Sequence, residues 1–246
     1  MSDQNPLGKS LELLWEGLPG SEKGPRPKLT LEQVVQTGID LADAEGLEAL
    51  SMRNLAQRLG VGTMSLYRYV PAKKELLDLM LDAIVGPSQE RLEAAENGWR
   101  EFLTTTARQA RRLYLEHPWM LQANWSRPVL GPNSVADLEL TMKGIADARL
   151  SDQAKMNAVT SVESFVMGSA RQELLWANAA TEQGITDEEF WASQLPTLIR
   201  AMESGKYPVM AELDEDIFDA TWDDGFEFGL QLILDGIDAR QEPPAG

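Results

Sequence analysis

Apolar side chains recur at helical spacing along most of the 246-residue chain, and no period-2 alternation competes with them. Leu31, Val34, Val35, Gly38, Ile39, Leu41 and Ala42 form one face, preceded by Thr30 with Gln33 three residues on, and closed by Gly46. A threonine hydroxyl and a glutamine amide at that spacing satisfy backbone N–H groups that a helix start leaves unpaired, so a helix begins at Leu31. Ser51 caps a second helix, Met52 to Leu59, with Met52, Leu55, Ala56 and Leu59 in a single stripe and Gly60 ending it. A third runs from Gly62 or Thr63 to about Tyr69. Pro71 breaks the pattern, and a fourth runs from Lys73 to Val85 before Gly86 and Pro87.

The rest of the chain is helical too. Trp99 to Pro118 is one amphipathic helix ended by proline, and Ser134 and Ser151 cap the next two. The last helix lies within Asp214 to Asp238, where Phe218, Trp222, Phe226, Leu230, Ile233 and Ile237 share a stripe with acids opposite. Residues 20 to 28, "GSEKGPRPK", are rich in glycine, proline and charge. The expected organisation is all-α: a flexible, partly basic arm over 1–28, a three-helix head over 29–75, a larger helical body over 76–240 and a frayed tail over 241–246.

The short connection between the second and third helices carries the first functional signal. Two helices joined so tightly cross steeply. The first therefore needs a small side chain at the crossing, which Ala56 supplies; the turn needs positive φ, which Gly60 supplies; the second helix needs an inward apolar anchor, which Leu66 supplies. That spacing is the signature of a helix-turn-helix, although helical hairpins inside cores also use alanine and glycine. With Leu66 and Val70 turned inward, Thr63, Met64 and Tyr67 face outward near the helix start, the end that meets base edges in a major groove.

Net charge sharpens this picture. The formal charge is −17, which for the whole chain argues against binding phosphate. Yet Lys23 to Glu75 holds eight basic against six acidic side chains, while residues 76 to 246 hold thirteen against twenty-nine. A near-neutral to basic head thus sits on an acidic body, an arrangement that either favours docking by the head alone or serves solubility.

The residues from Leu50 to Leu77, with "LAQRLGV", "SLYRYV" and "KKELL" in that order, resemble the DNA-binding domain of the tetracycline repressor-like (TetR) family of transcriptional regulators, and "LTLEQVVQTGIDLADAEG" resembles that family's first helix. The resemblance implies base contacts from Arg53, Thr63, Met64 and Tyr67, and phosphate contacts from Ser51, Ser65, Tyr69 and Lys73, with Lys28 of the arm beside them. Two features depart from the pattern. Tyr69 and Val70 stand where many relatives have histidine and phenylalanine, and Gly62 stands where serine often caps the third helix. A tyrosine hydroxyl still donates to phosphate.

The body is similar, less specifically, to the ligand-binding and dimerisation domain of the same family through "HPW", "RPVLGPN" and "FEFGLQLILDGI". That likeness implies a four-helix bundle between two copies, built from about Asp152 to Ala180 and Asp214 to Ile237. Val159, Val162, Val166, Leu230, Ile233 and Ile237 are its candidate interface residues, unless those stripes fill the monomer's own core. Trp99, Trp119, Met120, Trp125, Phe165 and Trp176 are candidates for an apolar effector pocket, with ordinary core packing as the alternative. Tetracycline itself is not implied, because Ala123 falls about where that repressor's magnesium-binding histidine would stand.

Nothing points to catalysis. His117 is the sole histidine, placed before Pro118 as a helix-end residue, and no nucleotide-binding, hydrolase or zinc motif occurs. The absence of cysteine removes disulfides and thiolate metal sites. No signal peptide and no long apolar run is present, so a cytoplasmic, soluble protein without cofactor or metal is expected. The sequence therefore predicts a ligand-responsive regulator, a repressor that binds a palindromic DNA operator as a homodimer and is released by a small-molecule effector of unknown identity. Two alternatives stay open: a helical protein-interaction module, and a helix-turn-helix regulator without ligand response.

Overall fold

The computed structural model describes residues 8–18, 29–123, 129–214, 216–217 and 219–241. Every regular element among them is helical. In order these are α1 (Gly8–Trp15), α2 (Leu31–Glu45), α3 (Met52–Arg58), α4 (Thr63–Leu66), α5 (Lys73–Ile84), α6 (Gln89–Ala95), α7 (Trp99–Glu116), a 3-10 turn (Pro118–Gln122), α8 (Pro132–Gly144), α9 (Asp152–Gln183), α10 (Asp187–Glu203), α11 (Pro208–Ala211) and α12 (Trp222–Asp238). None of the described helices is long and apolar enough to cross a membrane.

Contacts divide the chain into two compact units, residues 1–157 with 241–246 and residues 158–240. The boundary falls inside α9, away from the expected division after residue 75. Its physical reason is α5, which packs against α1, α2 and α8 alike.

In the first unit, the capping box at Thr30 is formed: its hydroxyl accepts from the Gln33 N–H, and the Gln33 side chain accepts from the Thr30 N–H. Val34, Leu41, Leu55, Leu66, Val70, Leu76 and Met80 build one apolar core that also takes in Leu13 of α1 and Trp119 and Met120 of the 3-10 turn. The stretch expected as a flexible arm therefore contains a docked helix, and its basic part, Lys28 included, lies outside the described residues.

Elsewhere in this unit a buried guanidinium ties three helices together. Arg91 of α6 donates to Thr106 of α7 and to Thr141 of α8, pairs with Asp137 of α8 and lies over the Phe102 ring. Charge is tolerated there because every side of the guanidinium has a partner. α8 starts at Pro132, two residues before the expected cap, because Ser134 bonds to α5 instead.

In the second unit, Val159, Val162, Val166 and Ala170 of α9 and Phe226, Leu230, Leu234 and Ile237 of α12 are buried. Phe165 stacks on Phe226 with ring centres 5.5 Å apart. α12 begins at Trp222, later than expected, under a capping box between Thr221 and Asp224. The Thr221 hydroxyl donates to the Asp224 carboxylate at 2.6 Å and its N–H at 3.1 Å, and these two bonds hold the carboxyl below its ordinary range. A depressed folded value means the stabilisation is present above the ordinary range and is lost as pH falls through the folded one. A carboxyl-carbon NMR titration should place Asp224 below the ordinary aspartate range, and Thr221→Val should raise it towards that range.

Candidate nucleic-acid interface

The turn from α3 to α4 is built by three neighbouring hydrogen bonds. The Leu59 N–H bonds to Leu55 O, the Gly60 N–H to Gln57 O and the Val61 N–H to Ala56 O, at 3.0, 3.2 and 3.0 Å. This is the helix-ending motif that needs a left-handed residue after the cap, and Gly60 has φ +66°. At the crossing Ala56 is 1% exposed, and Leu66 and Val70 are fully buried. The regular part of α4 is only Thr63–Leu66, shorter than expected, and Tyr67 continues it with helical angles. Gly62 provides no side-chain cap, as its lack of a hydroxyl dictates.

The opposite face is open. Met64 is 80% and Tyr67 42% exposed, the former among the most exposed large apolar side chains described. Arg53 of α3 and Arg68 are exposed, and Thr63, Ser65 and Tyr69 are half-buried. Tyr69 rests partly on the head core. Arg58, by contrast, pairs with Glu45 and Lys74 with Asp78, so those cations are already matched.

Two of the residues expected to hold phosphate have structural duties as well. The Ser51 hydroxyl accepts from the Asn54 N–H at 3.1 Å as the cap of α3, which leaves its own proton free to donate. Lys73 donates to the Leu47 carbonyl at 2.8 Å, fixing the α2–α3 connection with one of its three ammonium protons. Ser51→Ala should therefore cost about 1 kcal/mol of stability, read from the urea midpoint, alongside a several-fold loss in DNA affinity.

The residues expected to form an effector pocket are dispersed. Trp119 and Met120 belong to the head core, where the Trp119 indole N–H donates to Asp43 of α2 at 2.8 Å and His117, the cap of α7, reaches the same oxygen at 2.8 Å. Trp99 is buried at the start of α7, and Trp125 lies outside the described residues. Trp176 bonds to Asp187 and stands beside Phe190 and Trp191. Phe165 lines a cavity of about 540 Å³ in the second unit, with Ser164, Gln172, Thr221, Trp222 and Phe226.

The candidate interface residues sit in the core of the single chain. Val159, Val162, Val166, Leu230 and Ile237 are buried within the single chain and Ile233 is half-buried. An apolar stripe reads the same whether it meets its own chain or a second one. Among the large apolar side chains that α9 and α12 leave open, Leu175, Phe228 and Leu232 are the most exposed, with Met156 and Trp222 less so.

Comparison with known proteins agrees with this geometry. The family described as bacterial regulatory proteins of the tetR family matches residues 34–80, and the tetracyclin repressor-like C-terminal domain matches residues 93–241. The transcriptional repressor DrrR1 of Streptomyces coeruleorubidus, a helix-turn-helix protein, is 46% identical over 237 residues, spanning 96% of this chain and 87% of its own. The class A tetracycline repressor of transposon 1721 from Escherichia coli is 29% identical, over 87% of this chain and 93% of its own. The crystal structure of ActR from Streptomyces coelicolor with actinorhodin superposes with a TM-score of 0.70 at 30% identity, covering 89% and 99% of the two chains. The chain belongs to the tetracycline repressor-like family of DNA-binding transcriptional regulators. That membership sets aside the reading as a protein-interaction module.

Proposed function

We propose that this protein is a dimeric repressor whose α4 enters the major groove of a palindromic operator and whose grip is released by a small organic effector. The observation that carries the reading is the two-sided α4: Leu66 and Val70 have no exposed surface, while Met64 and Tyr67 stand out on the other side. In this reading Arg53, Thr63, Met64 and Tyr67 meet base edges, and Ser51, Ser65, Tyr69 and Lys73 hold phosphates, with Lys28 in the preceding arm.

The dimer rests on α9 and α12 of each copy. Phe228 and Leu232, one helical turn apart, are 69% and 58% exposed and Leu175 is 63% exposed, apolar surface that a second copy would cover. This moves the proposed interface from the buried valines to these three residues. An organic effector is supported by relatives solved with one, among them ActR with actinorhodin and with (S)-DNPA.

Footprinting on the DNA upstream of the protein's own gene tests the reading. Protection is expected over two half-sites about one helical turn apart. Phe228→Asp with Leu232→Asp should abolish paired protection and give a monomer by sedimentation. Protection by a protein that stays monomeric would overturn the dimeric part.

A further inference from the structure

α1 precedes the head and lies outside both family-matched segments. It is nevertheless docked. Ser10 has no exposed surface, and its hydroxyl donates to Asp78 Oδ2 of α5 at 2.6 Å, a carboxylate that Lys74 also holds at 2.8 Å. Leu13 is 3% exposed and belongs to the head core. At the far end of α1, the Trp15 indole N–H donates at 3.0 Å to the carbonyl of Leu130, just before α8.

That end of α8 is itself fixed to α5. Asp82 is 4% exposed, and its carboxylate accepts from the N–H groups of Asn133 and Ser134 and from the Ser134 hydroxyl at 3.3, 2.9 and 2.6 Å. Gly131 comes so close that a β-carbon there would lie 2.4 Å from the carboxylate. Asp78 and Asp82, one turn apart, thus give α5 one carboxylate for α1 and one for α8. α1 closes the third side by bonding to both partners.

α5 follows the recognition helix directly and carries the head. Its 12 residues make a rod of about 18 Å, so a tilt of about ten degrees shifts its far end by about 3 Å. In a dimer both heads shift. The combined change approaches the rise of two base pairs, about 3.4 Å each.

We propose that α1 is a positioning element for DNA binding: by bridging α5 and the start of α8 it fixes the angle of the head, and with it the half-site spacing that the dimer accepts, with Ser10 and Trp15 as its polar anchors. The proposal rests on the dimeric operator-binding reading. Ser10 suits the task because a hydroxyl cut off from solvent must keep a partner, and a bond to a carboxylate is among the stronger ones; Trp15, 55% exposed, adds a directional bond to a backbone carbonyl at the other end of the helix.

The test is to select the tightest duplex from a random pool with full-length wild type, then insert or remove one base pair at its centre. Affinities for the three duplexes and for an isolated half-site are measured for wild type, Ser10→Ala, Trp15→Phe and a chain lacking residues 1–17. Wild type should discriminate against the altered spacings by roughly tenfold or more, and each substitution should lower that ratio by about fivefold, the contribution of one such bond. Half-site affinity should stay within about twofold, since α4 is untouched. The truncation should relax spacing most; the two substitutions keep the test decisive if it does not fold. Unchanged ratios in both substitutions, with only a lowered Tm, would overturn the proposal and make α1 a plain stabilising helix. A wild type that selects no duplex would overturn the operator-binding reading, and this proposal with it.

Discussion

Replacing Tyr67 by alanine should weaken operator binding by about a hundredfold while leaving the fold intact. The side chain is 42% exposed, on the side of α4 opposite the buried Leu66 and Val70, so little packing is lost. A contact to a base edge contributes about 1–3 kcal/mol, and a dimer loses two of them, about 2–6 kcal/mol in all. The loss should fall on the operator and spare random DNA, because the phosphate contacts remain. Lys73→Ala should act without regard to sequence, weakening binding to every duplex and reducing the salt dependence. It should also loosen the α2–α3 connection, since Lys73 holds the Leu47 carbonyl. Anisotropy titrations on operator and random duplexes, with a thermal melt of each variant, separate the two.

The second large effect concerns stability. Asp82→Ala removes the acceptor for three donors at the start of α8, in a place with 4% exposure. Loss of the helix cap and of partners for buried N–H groups together should cost about 2–4 kcal/mol. In a chain of this size that corresponds to a fall in Tm of roughly 5–15 °C. Asp82→Asn, which keeps an acceptor oxygen, should recover part of the loss. Gly131→Ala should resemble Asp82→Ala, because its β-carbon would occupy the space of the carboxylate. Urea unfolding of the three variants checks the order.

The head was legible because its determinants are local. Thr30 with Gln33, Ser51 with Asn54, and Ala56 with Gly60 and Leu66 each act within a few residues, and each does in the structure what its spacing demands. α1 was missed because what holds it is distant: Ser10 bonds to a residue 68 positions away and Trp15 to one 115 away. Trp119 and Met120 were grouped with the pocket because an apolar run shows that a side chain will be buried and not in which core. The same ambiguity left Val159, Val162 and Val166 open between an interface and the monomer's own core, and the structure buries them within one chain. α10 escaped for a different reason. None of its residues is buried, and only Phe190 and Trp191, beside Trp176, pack on its own chain through their rings, so its apolar positions form no long stripe.

The measurement that bears most directly on the account is the affinity of the purified protein, by fluorescence anisotropy, for duplexes tiling the DNA upstream of its own gene beside random duplexes, at two salt concentrations. The account predicts one fragment bound far more tightly than random DNA, by two protomers, with affinity that falls as salt rises. Failure to bind any duplex, even at low salt, would contradict it.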